Sequence, residues 1–294
     1  MSSINGYQMV TNRIVEQLNP GVFPWRQPWV GGPAMAISYT TRKAYSMLNQ
    51  LLLGRPGEWL TWNQIQALGG RVKAGAHSRF CVFCQRVEKD AEINAAEDEA
   101  RQRESYLVLR WYKVFHLDDI IGIESLCQAA VPNPDISPIE AAEQAIRSYL
   151  AQEPALKFHC DRPSKDAYYS PLKDEVVVPM LTQYEIPEEY YSTVFHELTH
   201  STMAPGRCDR RPDKAVTRFG DADYSREELV AEIGAAMILG RLGIDNERAF
   251  RNSAAYIQGW LTALLDDSRM IVWAAAKAEA AARYILCKSI IHKE

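Results

Sequence analysis

Apolar residues in the first part of the chain recur at helical spacing and then at strand spacing. The first helix is predicted from apolar positions that share one face: Ile4, Tyr7, Val10, Ile14 and Leu18. Pro20 and Gly21 end this helix. The pattern then predicts a strand at 34–38, a short helix at 48–53 and a further helix that begins at Thr61.

Two longer runs of alternating apolar and polar residues predict a hairpin. They cover residues 79–87 and 106–117. Between them lies the segment 90–104, which is strongly charged and poor in strand formers, so we expect an exposed insertion there. Thr61 and Gln64 stand three positions apart and form a capping-box pattern at the start of the preceding helix.

A proline-rich stretch at 128–138 separates this region from the rest of the chain. We therefore predict two domains, at 1–130 and 137–294. The second begins with a helix, continues with a β-rich patch at 167–169 and 175–178, and ends with four helices. The predicted class is α+β: a mixed α/β N-terminal domain followed by a mainly helical domain with a small sheet.

The overall composition is that of an ordinary globular protein. Of 294 residues, 47% are hydrophobic and 24% are charged, and no stretch approaches the roughly 18 apolar residues of a membrane span. This excludes a disordered tail protein, a collagen-like repeat and an integral membrane protein. The first twenty residues lack the pattern of a secretion signal, so we expect a cytoplasmic protein with no membrane partner.

Cysteines are too few and too widely spaced for a disulfide framework. The chain has six, and we expect reduced thiols. Cys81 and Cys84 form a CxxC pair, but they lie inside the first hairpin strand and lack the second pair that a zinc knuckle requires. We interpret them as core or surface thiols on a strand.

Charge is distributed unevenly along the chain. The net charge is −4, yet residues 1–89 carry ten basic residues against three acidic ones, so the first part of the chain is basic and the remainder acidic. A basic front half suggests an anionic partner. Aromatic residues lie among these basic residues. Aromatic rings can stack on unpaired nucleobases while basic side chains contact the phosphates, and this combination favours single-stranded DNA. The candidate DNA-binding residues are Trp25, Arg26, Trp29, Arg42, Lys43, Tyr45, Arg71 and Lys73. Core packing of the aromatic residues and a solvated basic face are the alternative interpretation.

The segment 187–206 contains an HELTH motif inside a predicted helix. His196 and His200 lie one turn apart and face the same side, and Glu197 projects beside them. Two imidazoles, a third protein ligand and an open position for water form a catalytic zinc site, in which Glu197 accepts a proton from the attacking water. The pattern therefore predicts Zn²⁺, or another divalent metal, and peptide hydrolysis.

The third ligand must come from another part of the chain, and a later helix offers two glutamates. Glu228 and Glu232 lie one turn apart on one face, and the small residues after them permit close helix packing. Ser225 and Glu228 also fit a capping box, which would leave Glu232 as the ligand. We favour Glu228 as the ligand and Glu232 as the residue that holds a ligating histidine, with Glu227 facing elsewhere.

Hydrolysis also requires a donor for the developing oxyanion. Tyr168, Tyr169 and Tyr224 are candidates because they lie near the predicted site elements in the chain. Packing of any one of them on the sheet is the alternative.

Several segments resemble one known family, the plasmid antirestriction proteins of the ArdC type. PWRQPW, TRKAYSMLNQLLL and WLTWNQIQALGGRVKAGA resemble its N-terminal domain, which also occurs at the front of some plasmid primases. AYYSPLKDEVVVP, FHELTHST and EELVAEIGAA resemble its zincin-like metallopeptidase domain. The resemblance implies metal on His196, His200 and a glutamate of EELVAE, with Glu197 as the base.

The resemblance also implies a function. It suggests a single-stranded-DNA-binding domain joined to a metallopeptidase-like domain, which protects incoming plasmid DNA from host restriction during conjugative transfer. A protein substrate or the host restriction enzyme would be a second partner. Two alternatives stay open: a regulatory DNA-associated metalloprotease that cuts a repressor or DNA-bound protein, and a DNA-binding module with a purely structural metal.

Overall fold

The protein was analysed as a computed structural model, which describes residues 5–18, 35–88, 105–126, 138–210, 222–244 and 254–286. Within these ranges the chain forms eight α-helices and nine β-strands. None of the helices in the described ranges combines the length and the apolar composition that a membrane span requires.

A four-stranded sheet organises the N-terminal half. The elements in chain order are α1 (Gly6–Leu18), β1 (Ala36–Ser38), α2 (Met47–Leu53), β2 (Gly57–Thr61), α3 (Trp62–Ala67), β3 (Arg71–Val72), β4 (Arg79–Glu88), β5 (Ser105–His116) and β6 (Ile120–Ile121). The sheet has the order β1-β2-β5-β4, with β1 parallel to β2 and the other pairs antiparallel, while β3 and β6 form a separate antiparallel pair.

Helix α2 covers the outer edge of β4. The side-chain amide of Asn49 donates to the carbonyl oxygen of Val82 at 2.9 Å, and its oxygen accepts from the Val82 backbone N–H at 2.8 Å. Both groups are buried, so the amide replaces a neighbouring strand at this point. The edge of β4 is thereby blocked at Val82.

The C-terminal half is mainly helical and carries a three-stranded sheet. Its elements are α4 (Pro138–Gln152), β7 (Lys157–His159), β8 (Tyr168–Ser170), β9 (Glu175–Val177), α5 (Pro187–Ser201), α6 (Ala222–Leu242), α7 (Ala254–Asp266) and α8 (Met270–Leu286). The sheet order is β7-β9-β8, in which β9 pairs parallel with β7 and antiparallel with β8. The β8 strand therefore lies at an edge of the sheet, and it packs beside α5.

One hydrophobic core joins the two halves. The buried face of α1, with Val10 and Ile14, belongs to the same cluster as the helices of the C-terminal half. The Thr11 hydroxyl donates to the carbonyl oxygen of Ser268 at 2.8 Å, and the backbone N–H of Met47 donates to Glu279 Oε2 at 3.0 Å. The halves are thus packed together and not only tethered by the segment between them.

The predicted α+β class is confirmed, as are the predicted hairpin and the long helices. The capping box at Thr61 is present with both of its hydrogen bonds. The short strands β2, β3, β6 and β7 were not predicted. The predicted insertion at 90–104 and most of the proline-rich boundary lie outside the described residues.

Two local expectations can also be compared with the structure. The alternative capping box at Ser225 is wrong, because α6 begins at Ala222 and Ser225 lies inside the helix. The CxxC cysteines lie on β4 as expected, with Cys81 buried and Cys84 exposed, and the thiols in the described residues are free.

Helices α5 and α6 approach closely where Gly234 faces Thr199. A Cβ atom at Gly234 would lie 2.7 Å from Thr199 Cγ2 and 3.0 Å from Thr199 Oγ1. Thr199 is fully buried, and its hydroxyl is held by the carbonyl oxygen of Phe195 at 2.7 Å, so it has little room to move. The absence of a side chain at Gly234 therefore sets the distance between the two helices.

We predict that Gly234→Ala lowers the free energy of unfolding, measured by urea denaturation, by about 1 kcal/mol. Overpacking costs about 1–3 kcal/mol, and the better helix propensity of alanine offsets part of this. Thr199→Ser removes the methyl group that the new Cβ would meet. In that background only the contact with the hydroxyl oxygen remains, so Gly234→Ala should cause a smaller loss, and an equal loss in both backgrounds would contradict the packing explanation.

Candidate metal centre

Helix α5 carries the HELTH motif in its last two turns. Pro187 occupies the start of the helix, and Glu188 and Glu189 lie in its first turn, where negative charge is favourable. The far end is largely buried, so the motif lies between α5 and α6, with His196 partly exposed.

Three side chains converge at this point. His196 Nε2 and His200 Nε2 are 3.1 Å apart. Glu228, on α6, places one carboxylate oxygen 3.5 Å from His196 Nε2 and the other 3.5 Å from His200 Nε2. Within the described ranges these three residues are the group whose donor atoms lie close enough together to hold a metal ion.

The donor set fits a divalent cation. Zinc lies about 2.0–2.2 Å from nitrogen and oxygen ligands in a tetrahedral site, and such ligands are then about 3.4 Å from one another. The observed separations of 3.1 Å and 3.5 Å match this spacing. Two imidazole nitrogens that face each other at 3.1 Å, next to a carboxylate, are an arrangement that a shared cation would satisfy.

The electrostatics of the cluster favour positive charge. Burial acts to lower the pKa of His200, but hydrogen bonds with Glu227 and Glu228 outweigh it and raise the pKa to about 10. The pKa of His196 is also raised, because its hydrogen bond with Glu228 outweighs the opposing effect of burial. Burial acts to raise the pKa of Glu228, but its hydrogen bonds with both histidines outweigh this effect and hold the pKa far below its usual range.

Glu197 lies beside the cluster with its carboxyl group buried. Burial is the main cause that raises its pKa, and the nearby imidazoles act in the opposite direction. The backbone N–H of Tyr169, on the edge strand β8, donates a hydrogen bond to this carboxylate. The sheet therefore fixes the position of a buried carboxylate that has a raised affinity for protons.

Glu227 holds His200 from the side opposite to Glu228. Its Oε1 lies 3.4 Å from His200 Nδ1, while the other ring nitrogen of His200 faces Glu228. The expectation that Glu227 faces elsewhere is therefore wrong. Glu232, which the sequence suggested for the holding role, is buried one turn beyond Glu228, and its carboxylate is not among the converging donor atoms.

Arg210 fixes Glu227 and the end of α5 in one network. Its guanidinium donates to both carboxylate oxygens of Glu227, at 2.8 Å to Oε1 and 3.1 Å to Oε2. It also donates to the carbonyl oxygen of Thr199 at 2.6 Å and to the hydroxyl of Thr202. This buried residue was missed in the sequence. The one available signal was an arginine soon after the motif, followed by a pair of adjacent glutamates.

A second buried arginine ties the surrounding elements together. Arg207 donates to both carboxylate oxygens of Asp174, at 2.8 and 2.6 Å, and to Glu153 Oε2 at 2.8 Å. The hydroxyl of Tyr169 donates to Asp174 at 2.9 Å. The network links α4, the turn between β8 and β9, and the segment after α5, so it holds β8 beside the motif.

The candidate oxyanion donors occupy different environments. The hydroxyl of Tyr169 is bonded to Asp174, and the group that this residue directs at the cluster is its backbone N–H. Tyr168, its neighbour on β8, is exposed. The side chain of Tyr224 lies outside the described part of the protein. Donation to an oxyanion remains a prediction for these residues.

The candidate DNA-binding residues are distributed over the N-terminal half. Lys43 and Arg71 are exposed. Arg42 forms an ion pair with Glu58, and Lys73 donates to the carbonyl oxygen of Asp118 at 2.6 Å. Tyr45 is half-buried and packs against the cluster around Trp59. The remaining three candidates, Trp25, Arg26 and Trp29, lie outside the described residues.

Comparison with known proteins gives matches along most of the chain. Residues 5–115 match the family model described as the N-terminal domain of anti-restriction factor ArdC, and residues 148–277 match the one described as zincin-like metallopeptidase. An uncharacterized protein, y4eC, from Sinorhizobium fredii (strain NBRC 101917 / NGR234) is 31% identical over 285 residues, which cover 93% of this chain and 89% of that protein. A DNA primase TraC from Escherichia coli is 32% identical over 300 residues, which cover 95% of this chain but only 27% of the primase.

Two solved structures share the fold over nearly the whole chain. Both are crystal structures of the antirestriction ArdC protein from the R388 plasmid, at 29% sequence identity. The Mn(II)-bound structure gives a TM-score of 0.73 and covers 97% of this chain and 98% of that chain. The metal-free structure gives 0.71 and covers 98% of both chains.

We predict that Arg210→Met lowers the free energy of unfolding by about 3 kcal/mol, because it leaves the Glu227 carboxylate buried without its main partner. Chemical denaturation of the metal-free protein measures this loss. In Arg210→Met with Glu227→Gln the charge is removed as well, so the double variant should lose less than the single one. A double variant that is less stable than Arg210→Met would contradict the role assigned to this pair.

Proposed function

The chain belongs to the ArdC family of antirestriction proteins, and from this premise we propose that it protects incoming plasmid DNA from host restriction. In this proposal a basic N-terminal domain, residues 1–130, binds single-stranded DNA, and residues 137–294 form a metallopeptidase domain. The observation that carries the proposal is the convergence of His196, His200 and Glu228 beside Glu197. Protection during conjugative transfer would take place in the cytoplasm of the recipient cell.

We propose that His196 Nε2, His200 Nε2 and the Glu228 carboxylate hold a divalent metal ion. The spacing of these atoms and the acidic surroundings support this assignment. The related R388 protein has been crystallised with Mn(II), which supports a divalent ion here. Zn²⁺ is our proposed ion because two histidines and one glutamate form the ligand set of hydrolytic zinc sites. Glu227 would orient His200 through its other ring nitrogen.

Glu197 is our candidate for the proton-transfer group. A divalent ion bound at this site would act as a Lewis acid and lower the pKa of water. Glu197 would accept a proton on its carboxylate from the attacking water and pass it to the leaving amine of a peptide. Its burial and the backbone hydrogen bond from Tyr169 hold the carboxylate in place for both transfers. A protein bound to the DNA, such as a restriction enzyme, is the proposed class of substrate.

The metal assignment predicts a difference between two neighbouring glutamates. Glu228→Ala should reduce the metal content per chain, measured by mass spectrometry after dialysis, to a small fraction of the wild-type value. Glu232→Ala is the matched control, because it changes the same residue type one turn further along the same helix. Wild-type metal content in Glu228→Ala, or metal loss confined to Glu232→Ala, would show that the third ligand is misassigned.

The hydrolytic assignment predicts that the Glu197→Gln variant still binds the metal and single-stranded DNA but loses its antirestriction activity. The measurement is the frequency of plasmid transfer into a restricting recipient relative to a non-restricting one. We expect the relative transfer frequency with the variant to fall to that of a plasmid without the gene, because glutamine cannot accept the proton. Unchanged protection would exclude hydrolysis as part of the function and would favour shielding of the DNA or a structural metal.

A further inference from the structure

Two half-exposed tryptophans stand out in the N-terminal half. Trp62, at the start of α3, is 52% exposed, and Trp111, on β5, is 49% exposed. Tryptophan is among the side chains that gain most from burial, so two of them at the surface of one domain mark an interaction site.

Both tryptophans lie on one face of the four-stranded sheet. Side chains alternate along β5, which pairs with β4 without a bulge, so Trp111, Lys113 and Phe115 point to the same face. The ring of Trp62 lies beside the row, 6.1 Å from that of Phe115. The row from Trp111 to Phe115 is about 13 Å long at the usual rise of a strand. We call these four residues the tryptophan row.

Positive charge accompanies the row. Lys113 is exposed between the aromatic residues, and no ion pair joins it to another residue in the described ranges. Val72 of β3 packs against the same small cluster as Phe115. The acidic side chain of Asp118 is paired with Arg55 at 2.6 Å. The row therefore carries a positive charge between its aromatic rings.

We propose that the tryptophan row is the surface on which unpaired bases of single-stranded DNA stack, with Lys113 on a phosphate. This inference rests on the proposed function and names the surface that performs it. Exposed aromatic rings with a cation between them match the chemistry of single strands, since each nucleobase offers a π-face and each linkage a negative charge. In duplex DNA these faces are covered by neighbouring base pairs.

The opposite face of the same two strands offers a matched control. Phe83 is 46% exposed and lies directly opposite Arg110 in the register of β4 and β5. Like Trp111 and Lys113, this pair consists of one exposed aromatic residue and one exposed basic residue, but it lies on the face of β4 and β5 opposite to the tryptophan row. A non-specific effect of aromatic or basic residues would therefore appear equally in both pairs.

The test is the fluorescence anisotropy of a labelled oligothymidylate titrated with the full-length protein across a salt series. We expect Trp111→Ala and Trp62→Ala each to weaken binding about fivefold or more, and Trp111→Phe to retain most of it because the ring is kept. Lys113→Gln should make the dependence of log K on log salt shallower by about 0.7, as expected for one lost phosphate contact. Phe83→Ala and Arg110→Gln should stay within about twofold of wild type. Thermal melting confirms that each variant is folded.

The outcomes separate this inference from the function on which it rests. If the wild-type protein does not bind the oligonucleotide, the proposed DNA-binding function fails. A second outcome is that the wild type binds while the Phe83 and Arg110 variants lose as much affinity as the tryptophan variants. In that case the DNA-binding function stands and the assignment to the tryptophan row is overturned. Equal loss in Trp111→Phe and Trp111→Ala, or tighter binding to duplex, would also overturn it.

Discussion

The close packing of α5 on α6 is the constraint on which the rest of the site depends. His196 and His200 come from one helix and Glu228 from the other, so their donor atoms meet only at one separation of the two axes. Gly234 permits that separation because it has no side chain to meet Thr199. Arg210 then locks it, since one guanidinium bonds both to the end of α5 and to Glu227 on α6. The cluster is thus a consequence of helix packing as much as of the motif.

The two halves of the chain depend on the same helical framework. Helix α8 packs against α6 and also contacts α2 of the N-terminal half. The hydrogen bond from Met47 to Glu279 fixes this junction, and that from Thr11 to Ser268 fixes a second one. A shared core of this kind gives the sheet that carries the tryptophan row a defined position relative to the metal-binding cluster. The proposed DNA-binding and hydrolytic surfaces therefore belong to two halves that share one packed core.

Local spacing was sufficient to predict the parts of the structure that depend on neighbours in sequence. The helix with the HELTH motif follows from the residues at its two ends, the capping box at Thr61 from a three-residue spacing, and the long hairpin from periodicity. The spacing also predicted Glu228 on the helix that packs against the motif, but the same spacing fits Glu232 equally well. The position of α6 along its axis relative to α5 decides which of the two lies at the histidines, and that position is set by long-range contacts at Gly234 and Arg210. The roles of Glu227 and Arg210 were missed for this reason, and the tryptophan row depends on the strand register in the same way.

The most direct test of the account is a crystal structure of the protein with its metal, phased at the absorption edge of that metal. The account predicts one strong anomalous peak in the C-terminal half, within bonding distance of both Nε2 atoms of the motif and of the Glu228 carboxylate, with Glu197 beside it and not bound to the ion. A peak held by other side chains, or histidine rings that have moved apart on metal binding, would contradict it.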